Sequence, residues 1–203
     1  MGNPVGSLEV PNVLQARKRL LLELSQRQKE ILIGCILGDA YISPLGKIRI
    51  EQSTKQRNYV DWKYRELRSL CYPAEPREII HTLPTGKKHT SVFFLLRQYF
   101  RSWRSIFYEG RTKIFPSDLP ISPLSLAVWY MDDGCWTGKK ALICAESFDG
   151  IYSENMQKAL LDQHGIETVV GKNGRLVIRK KFHDRFFSLI APHVIPSMKY
   201  KLP

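Results

Sequence analysis

Long apolar runs and metal-binding cysteine patterns are both absent from the sequence. The longest apolar run, ILIGCILG (31–38), falls well short of the roughly 20 residues that span a bilayer, so no transmembrane helix is expected. The four cysteines include no CxxC pair and show no metal-ligand spacing, which argues against a structural zinc site. No secretory signal is recognised at the start of the sequence. We therefore expect reduced thiols and an intracellular location.

Acidic residues are few relative to basic ones. The 19 Asp and Glu residues stand against 31 Lys and Arg, which gives a formal net charge of +12 and a pI near 9.6. This excess predicts a polyanionic partner, because a protein that neutralises phosphates releases condensed counterions. An acidic membrane surface is the alternative, but the sequence has neither a long amphipathic basic helix nor a lipidation motif. Hydrophobic residues make up 43% of the chain, enough for a packed core rather than disorder.

One pattern occurs twice, 94 residues apart. The segment ILIGCILGDAYIS (31–43) aligns with SLAVWYMDDGCWT (125–137), and the alignment places Asp39 on Asp133. A strand pair, a helix, a hairpin and an aromatic-rich helix are predicted after each copy. The pattern therefore predicts an α+β fold of two pseudo-symmetric αββαββα halves.

The predicted boundaries follow from this repeat. Ser25 and Gln28 have the spacing of a capping box for the first motif helix. Ser153 is predicted to cap a later helix, and Asn173-Gly174 is a strong hairpin-turn signal. We expect a helical N-terminal extension over residues 1–24, a first repeat over 25–116 and a second repeat over 117–203.

Each copy of the pattern ends an apolar helix with an aspartate, which is unfavourable beside the negative end of the helix dipole. Either motif alone could be an ordinary helix stop. If the two helices pack in parallel, with Gly34 and Gly38 permitting close approach, Asp39 and Asp133 emerge at the same end. Two adjacent carboxylates repel each other, and a hard cation such as Mg²⁺ would relieve that repulsion. We expect Asp132 to be a supporting or tolerated neighbour.

These segments resemble the two signature helices of the LAGLIDADG homing endonucleases, in the double-motif, single-chain form. The likeness continues through IEQST, RNYVDWKYREL, RTKIFP, ESF and VIPSMKYKLP, and covers about residues 25–203. The resemblance implies a monomer whose two antiparallel sheets form a saddle over a long, near-asymmetric site in double-stranded DNA. It implies intron homing by Mg²⁺-dependent cleavage of both strands, with short 3′ overhangs. Mn²⁺ would substitute for Mg²⁺, and Ca²⁺ would support binding without cleavage.

The resemblance also assigns roles to single residues. Asp39 and Asp133 would bind the metal, with the backbone carbonyls of Gly38 and Asp132 as further candidate ligands. A lysine in each half would assist catalysis, and a polar side chain after each motif would order water or metal. The implied catalytic set is Asp39, Asp133, Lys113, Lys201, Gln52 and Glu146. The sequence departs from the family at Ala40, where glycine is usual, and at Glu146, where an amide or hydroxyl is usual.

Basic residues on the predicted strands would form the DNA-reading surface, because a two-stranded ribbon fits the major groove. A run of charges is commonly just a solvated face, so this prediction is collective. Trp62, Trp103, Trp129 and VFFLL (92–96) are predicted to be core instead. The predicted DNA contacts are Lys47, Arg49, Glu51, Arg77, His81, Lys87, Lys88, Lys139, Lys140, Lys172, Asn173, Arg175 and Arg179, with His89 a weaker candidate.

Two classes of function stay open at this point. The first is a site-specific DNA endonuclease. The second is a non-cleaving binder, either an RNA maturase that assists splicing of a host intron or a DNA-binding regulator. The paired acids favour cleavage, because a pure binder has no need of them. The gene is expected in an organelle (mitochondrion or chloroplast) or in a prokaryote.

Overall fold

The computed structural model describes residues 8–15, 21–146, 148, 150–171 and 174–203. The chain begins with a small hairpin and then forms two halves of matching architecture. The hairpin consists of β1 (Val13–Gln15) and β2 (Leu21–Glu23). The first half contains α1 (Gln26–Leu37), β3 (Tyr41–Ile42), β4 (Ile48–Ser53), α2 (Arg57–Leu67), β5 (Arg77–Thr82), β6 (Lys88–Leu95) and α3 (Arg101–Phe107).

A second short hairpin leads from the first half into the second. It consists of β7 (Tyr108–Glu109) and β8 (Thr112–Lys113). The second half contains α4 (Pro123–Asp133), β9 (Gly134–Trp136), β10 (Ala141–Ile143), α5 (Ser153–His164), β11 (Thr168–Val170), β12 (Leu176–Ile178) and α6 (His183–Ile190). Short 3-10 helices cover Thr54–Gln56, Arg68–Leu70, Gly150–Tyr152, Lys180–Phe182, Ala191–His193 and Pro196–Lys201.

Each half has one four-stranded antiparallel sheet. The strand order is β3-β4-β6-β5 in the first half and β9-β10-β12-β11 in the second. Because the two orders correspond strand for strand, the predicted αββαββα repeat and the α+β class are confirmed. Among the described residues, no helix is long and apolar enough to cross a membrane. The four cysteines are free thiols, as expected.

Helices α1 and α4 pack against each other at the centre of the molecule. Residues 31–37 of α1 and 124–131 of α4 are all buried, as is typical of helices that are apolar on every side. The Ser25–Gln28 capping box begins α1 as predicted. At the start of α4, the Ser125 backbone amide donates a hydrogen bond to the Ser122 hydroxyl oxygen.

Two glycines set the closeness and direction of this packing. A Cβ atom added at Gly34 would lie 2.5 Å from the Ser125 carbonyl oxygen, and one at Gly38 would lie 2.5 Å from the Asp132 Cβ. Ser125 also donates to the Glu30 carbonyl at 2.9 Å. The contacts advance in the same direction along both helices, so α1 and α4 run parallel and end together, as the sequence predicts.

Two local predictions differ from the structure. The described parts of the expected helical extension form the β1–β2 hairpin, in which Leu14 pairs with Leu22. Alternation with period two buries Leu14 against the core, and this tertiary packing outweighs the helix propensity of the leucines. Ser153 does not cap α5, because a 3-10 turn precedes the helix and Tyr152 holds the N-cap position. The turn residue Asn173 lies outside the described residues.

Candidate active site

The ends of the two central helices bring the predicted acids together. Asp39 follows the last residues of α1, and Asp133 is the last residue of α4. Partial burial and the charges of Asp39 and Asp132 raise the pKa of Asp133 to about 8. Partial burial and the charge of Asp132 likewise raise the pKa of Asp39. The ionised carboxylates therefore repel one another, which is the condition that a divalent cation relieves.

The two predicted lysines lie against the backbone next to these acids. Lys113 Nζ donates a hydrogen bond to the Gly38 carbonyl at 2.6 Å. Lys201 donates to the Asp132 carbonyl at 2.9 Å and to the Met131 carbonyl at 2.5 Å. Burial lowers the pKa of both lysines, against the opposing effect of the aspartates. The carbonyls suggested as metal ligands are therefore already hydrogen-bond acceptors for the lysines.

Gln52 reaches the acids from strand β4. Its side-chain Nε2 donates to Asp39 Oδ2 at 3.0 Å and to Asp132 Oδ1 at 2.7 Å. Its Oε1 is buried and has no hydrogen-bond partner within the described ranges. The repeat-equivalent Glu146 instead accepts from Arg175 Nε at 2.8 Å. The structure therefore brings Gln52, but not Glu146, into hydrogen-bonding contact with the aspartates among the described residues.

Lys63 is a member of the site that the sequence analysis missed. Its Nζ lies 2.6 Å from Asp132 Oδ1, and both side chains are 0% exposed. Burial lowers the pKa of Lys63, but the Asp132 carboxylate and the other acidic groups nearby together outweigh this effect, and the net shift is upward. The signal was present in the sequence, because Lys63 occupies the same helix face as Tyr59, Val60 and Leu67, which are all buried. A lysine within an apolar stripe needs a buried acid as its partner.

The donor atoms around the acids fit a hard divalent cation. The carboxylates of Asp39 and Asp133 have raised pKa values, and Gln52 Oε1 is a buried oxygen without a partner in the described part of the chain. Oxygen ligands of this kind are those preferred by Mg²⁺ and Ca²⁺. Within the described ranges no cluster of three or more His, Cys, Asp or Glu side chains is found that could hold a metal, so water or substrate oxygens would have to complete the coordination.

Four predicted DNA contacts of the first half, Arg49, Glu51, Arg77 and His81, share one face of its sheet. Arg49 on β4 forms an ion pair with Glu51 at 2.6 Å, and His81 on β5 contacts the same carboxylate at 2.5 Å. Phe93, predicted to be core, lies on this face, with the Arg49 guanidinium 4.0 Å from its ring centre and that of Arg77 at 5.7 Å. The predicted alternation is therefore present, but the prediction that Phe93 is core is wrong: it is half-buried on the basic face, whereas its neighbours Val92 and Phe94 are buried in the core.

The other predicted contacts lie at turns and strand ends. Lys87 and Lys88 are exposed at the β5–β6 turn, and Lys139 and Lys140 are exposed at the β9–β10 turn. Lys47 lies 5.4 Å from the ring centre of Tyr72. Arg175 and Arg179 flank β12 and form ion pairs with Glu146 and Glu167. Lys172 and Asn173 lie outside the described residues.

The fold and the site together define a pseudo-symmetric α+β protein with paired acids at the end of a central helix pair. The LAGLIDADG DNA endonuclease family matches this sequence over residues 29–185. Because the match covers most of the chain, the protein belongs to that family.

A solved structure has the same architecture. The homing endonuclease I-WcaI, bound to its DNA recognition sequence, is 28% identical and superposes with a TM-score of 0.79, over 89% of this chain and 87% of that one. The two-half architecture proposed from the sequence is therefore seen in a homing endonuclease.

Curated relatives fall into several groups. The DNA endonuclease I-ChuI of Chlamydomonas applanata is 27% identical over 89% of this chain and 96% of its own length. Protein RecA of Mycobacterium gastri is 29% identical over 98% of this chain, and the chain spans about half of that relative, 53%. The cytochrome b mRNA maturase bI2 of Saccharomyces cerevisiae is 26% identical over 85% of this chain and 46% of its own length.

Proposed function

We propose that this protein is a site-specific double-strand DNA endonuclease, of the homing type, that hydrolyses phosphodiesters and leaves short 3′ overhangs. The single observation that carries the proposal is the matched arrangement at the ends of α1 and α4. Each helix end has an aspartate with a raised pKa, and a lysine binds the carbonyl just before it. Two such centres, one at each helix end, suit the two strands of a duplex.

The cofactor of the proposed reaction is Mg²⁺, with Mn²⁺ as a substitute and Ca²⁺ as an ion that supports binding only. When bound, a divalent cation lowers the pKa of a coordinated water and stabilises the leaving oxygen. Asp39 and Asp133 would hold it. Lys113 and Lys201 are placed to stabilise charge that develops on each scissile phosphate. Gln52 would keep the Asp39 carboxylate in one orientation.

The proposed partner is double-stranded DNA with a long, near-asymmetric site, bound by a monomer. The net charge of +12 supports this partner, as does the face of the first sheet that carries Arg49 and Arg77. Arg49 and Arg77 are held against Phe93, so their guanidinium groups are oriented before DNA arrives. Encoding by an intron, and residence in an organelle or a prokaryote, stay predictions.

A maturase is the second candidate function. It is favoured by the similarity to the yeast maturase bI2, whose name assigns it to cytochrome b mRNA. On this alternative, intron RNA would bind the chain in place of, or in addition to, DNA. The transcript that surrounds the chain's own coding sequence is the RNA on which to test splicing.

The deciding experiment is a selection from a duplex library, with binding in Ca²⁺ followed by a shift to Mg²⁺. Wild type is compared with Asp39→Asn and Asp133→Asn, and Asp162→Asn serves as the control because Asp162 is exposed in an ion pair with Lys158. If the protein is the proposed nuclease, wild type and the control should cut one long site, while the other two variants bind it without cutting. Wild type that binds a site but never cuts it would contradict the proposal and favour the maturase or a regulator.

A further inference from the structure

Asp132 breaks the symmetry between the two halves. The repeat-equivalent residue in the first half is Gly38, which has no side chain. A Cβ atom at Gly38 would lie 2.5 Å from both Cβ and Oδ2 of Asp132. The missing side chain on α1 therefore makes the space that the Asp132 carboxylate of α4 occupies.

The carboxylate of Asp132 is bound by groups of the opposite half. Lys63 on α2 donates to Oδ1 at 2.6 Å, and Gln52 on β4 donates to the same oxygen at 2.7 Å. The backbone amide of Asp39 donates to Oδ2 at 3.4 Å. A side chain of the second half thus connects three elements of the first half beside one of the paired acids.

The second half lacks a corresponding network among the described residues. Glu146, at the position equivalent to Gln52, is bound to Arg175. Gln157, at the position equivalent to Lys63, donates to the Thr168 carbonyl at 2.8 Å. No hydrogen bond between described side chains holds an amide against Asp133 as Gln52 is held against Asp39.

We infer that Asp132 is a positioning residue: with Lys63 it holds the Gln52 amide against Asp39, and so prepares the Asp39 centre but not the Asp133 centre. The inference rests on the proposed nuclease function and deepens it. Its consequence is that the two DNA strands are cut at unequal rates, set by this network.

The geometry favours positioning over a packing role alone. Gln52 Nε2 donates to both Asp39 and Asp132, which fixes the plane of the amide. Gln52 Oε1 is buried and has no hydrogen-bond partner in the described residues, so the amide is held by its donor nitrogen alone. Lys63 compensates the buried charge of Asp132, without which the carboxylate would not stay in place.

The main test variant is Asp132→Leu combined with Lys63→Met, which removes both buried charges at similar volume. Asp132→Asn made together with Lys63→Met is the conservative variant, because it keeps an oxygen acceptor for Gln52 and leaves no buried ammonium without its anion. Gly38→Ala is an independent route, since its Cβ displaces the Asp132 carboxylate while every member of the network remains. Asp162→Asn is the control for a lost surface charge.

Two quantities are measured. Strand-specific nicking rates in Mg²⁺ are determined on the selected duplex with each strand end-labelled, after equal DNA binding in Ca²⁺ has been established. The Gln52 side-chain amide is followed by NMR in the free protein and assigned by its loss in Gln52→Ala. We expect the combined variant and Gly38→Ala to shift the amide signals and to change the ratio of the two nicking rates by about 10-fold or more.

The remaining variants sharpen the result. The conservative variant, Asp132→Asn with Lys63→Met, should keep a ratio close to that of wild type. Gln52→Ala should change the ratio in the same direction as the combined variant and add nothing when introduced into it, because the network acts through Gln52. A combined variant that slows both strands equally, or leaves the Gln52 signals in place, would overturn the inference. If wild type cuts no duplex, the proposed function fails, while the amide signals still decide whether Asp132 holds Gln52.

Discussion

Lys201 contacts the end of α4 in the same way as Lys113 contacts the end of α1. Lys113 Nζ lies 2.6 Å from the Gly38 carbonyl, and Lys201 Nζ lies 2.9 Å from the Asp132 carbonyl, which belongs to the repeat-equivalent residue. The two lysines come from different local structures, a short hairpin strand and a C-terminal 3-10 helix. Equivalent placement from unlike segments indicates that the position, next to each acid, is what matters.

Replacing either lysine should therefore impair cleavage but not DNA binding. Lys113→Met and Lys201→Met keep the buried stem and remove the charge, and each should lower the single-turnover cleavage rate by about 10²- to 10³-fold. Binding in Ca²⁺ should change little. Lys158→Met, at an exposed lysine, is the control. Full activity in both catalytic-lysine variants would contradict the roles given to these residues.

The raised pKa of Asp133 predicts a pH-dependent stability of the metal-free protein. The pKa of Asp133 is about 8 in the folded protein, whereas the same carboxyl has a pKa of about 3.9 in an unfolded chain. Between these values the folded protein holds the extra proton. The contribution of protonated Asp133 to folding stability is therefore fully present below about pH 4, and it is lost as the pH rises through about 8.

Urea denaturation in a metal chelator, at pH 5 and pH 9, measures this effect. From the lower to the higher pH, wild type should lose about 1–3 kcal/mol more stability than Asp133→Asn, after allowance for solvent screening of a partly exposed group. Parallel losses in the two proteins would show that Asp133 does not hold its proton in the folded state.

Lys63→Met alone should destabilise the protein strongly, because it leaves the Asp132 carboxylate buried without its cation. We expect a loss of about 3–5 kcal/mol in the free energy of unfolding, most of it recovered when Asp132→Leu is added. The matched control is Asp61→Ala, which breaks the exposed pair with Arg57 and should cost less than about 1 kcal/mol. Equal losses in the single and the combined variant would argue against a charge effect.

Gly34→Ala should destabilise the α1–α4 packing. Its Cβ would lie 2.5 Å from the Ser125 carbonyl oxygen, a backbone atom that cannot move away cheaply. We expect a cost of about 1–3 kcal/mol, measured by thermal or urea denaturation. Gly150→Ala is the control, because its added Cβ would meet no atom within 4 Å. A Gly34→Ala protein as stable as the control would mean that the helices can separate freely.

Arg49→Ala should weaken DNA binding in Ca²⁺ by about 1–3 kcal/mol if Arg49 reads a base. Cleavage of the bound duplex should be unaffected, because Arg49 lies on the outer sheet face and not beside the acids. Arg68→Ala is a suitable control, since Arg68 is 71% exposed and pairs with Glu75. An affinity unchanged by Arg49→Ala would remove this residue from the DNA surface.

Much of the site follows from the sequence because it depends on local pattern. The 94-residue repeat and the glycines of α1 predict two parallel helices with acids at one end, and the structure has them. Gln52 and Lys113 come from the family resemblance, and both contact this helix end. The capping box is local as well, which is why α1 begins where the sequence predicts.

The parts that could not be predicted depend on contacts between distant segments. The partner of Lys63 lies 69 positions away, on another helix of the other half, so no spacing rule connects them. Glu146 shares the sequence position of Gln52, but an exposed arginine on the next hairpin binds it instead. In the N-terminal hairpin, burial of Leu14 against the core determines the conformation, so the helix predicted from the local composition is not formed.

The Gly38–Asp132 contact has a consequence for how the two halves can combine. A pair made of two copies of the second half would set one Asp132 carboxylate against another, at a place with room for only one side chain. A pair made of two copies of the first half would leave Lys63 buried without its acid. Each half is therefore a poor partner for itself, and this point in the interface specifies a heterologous pairing within one chain.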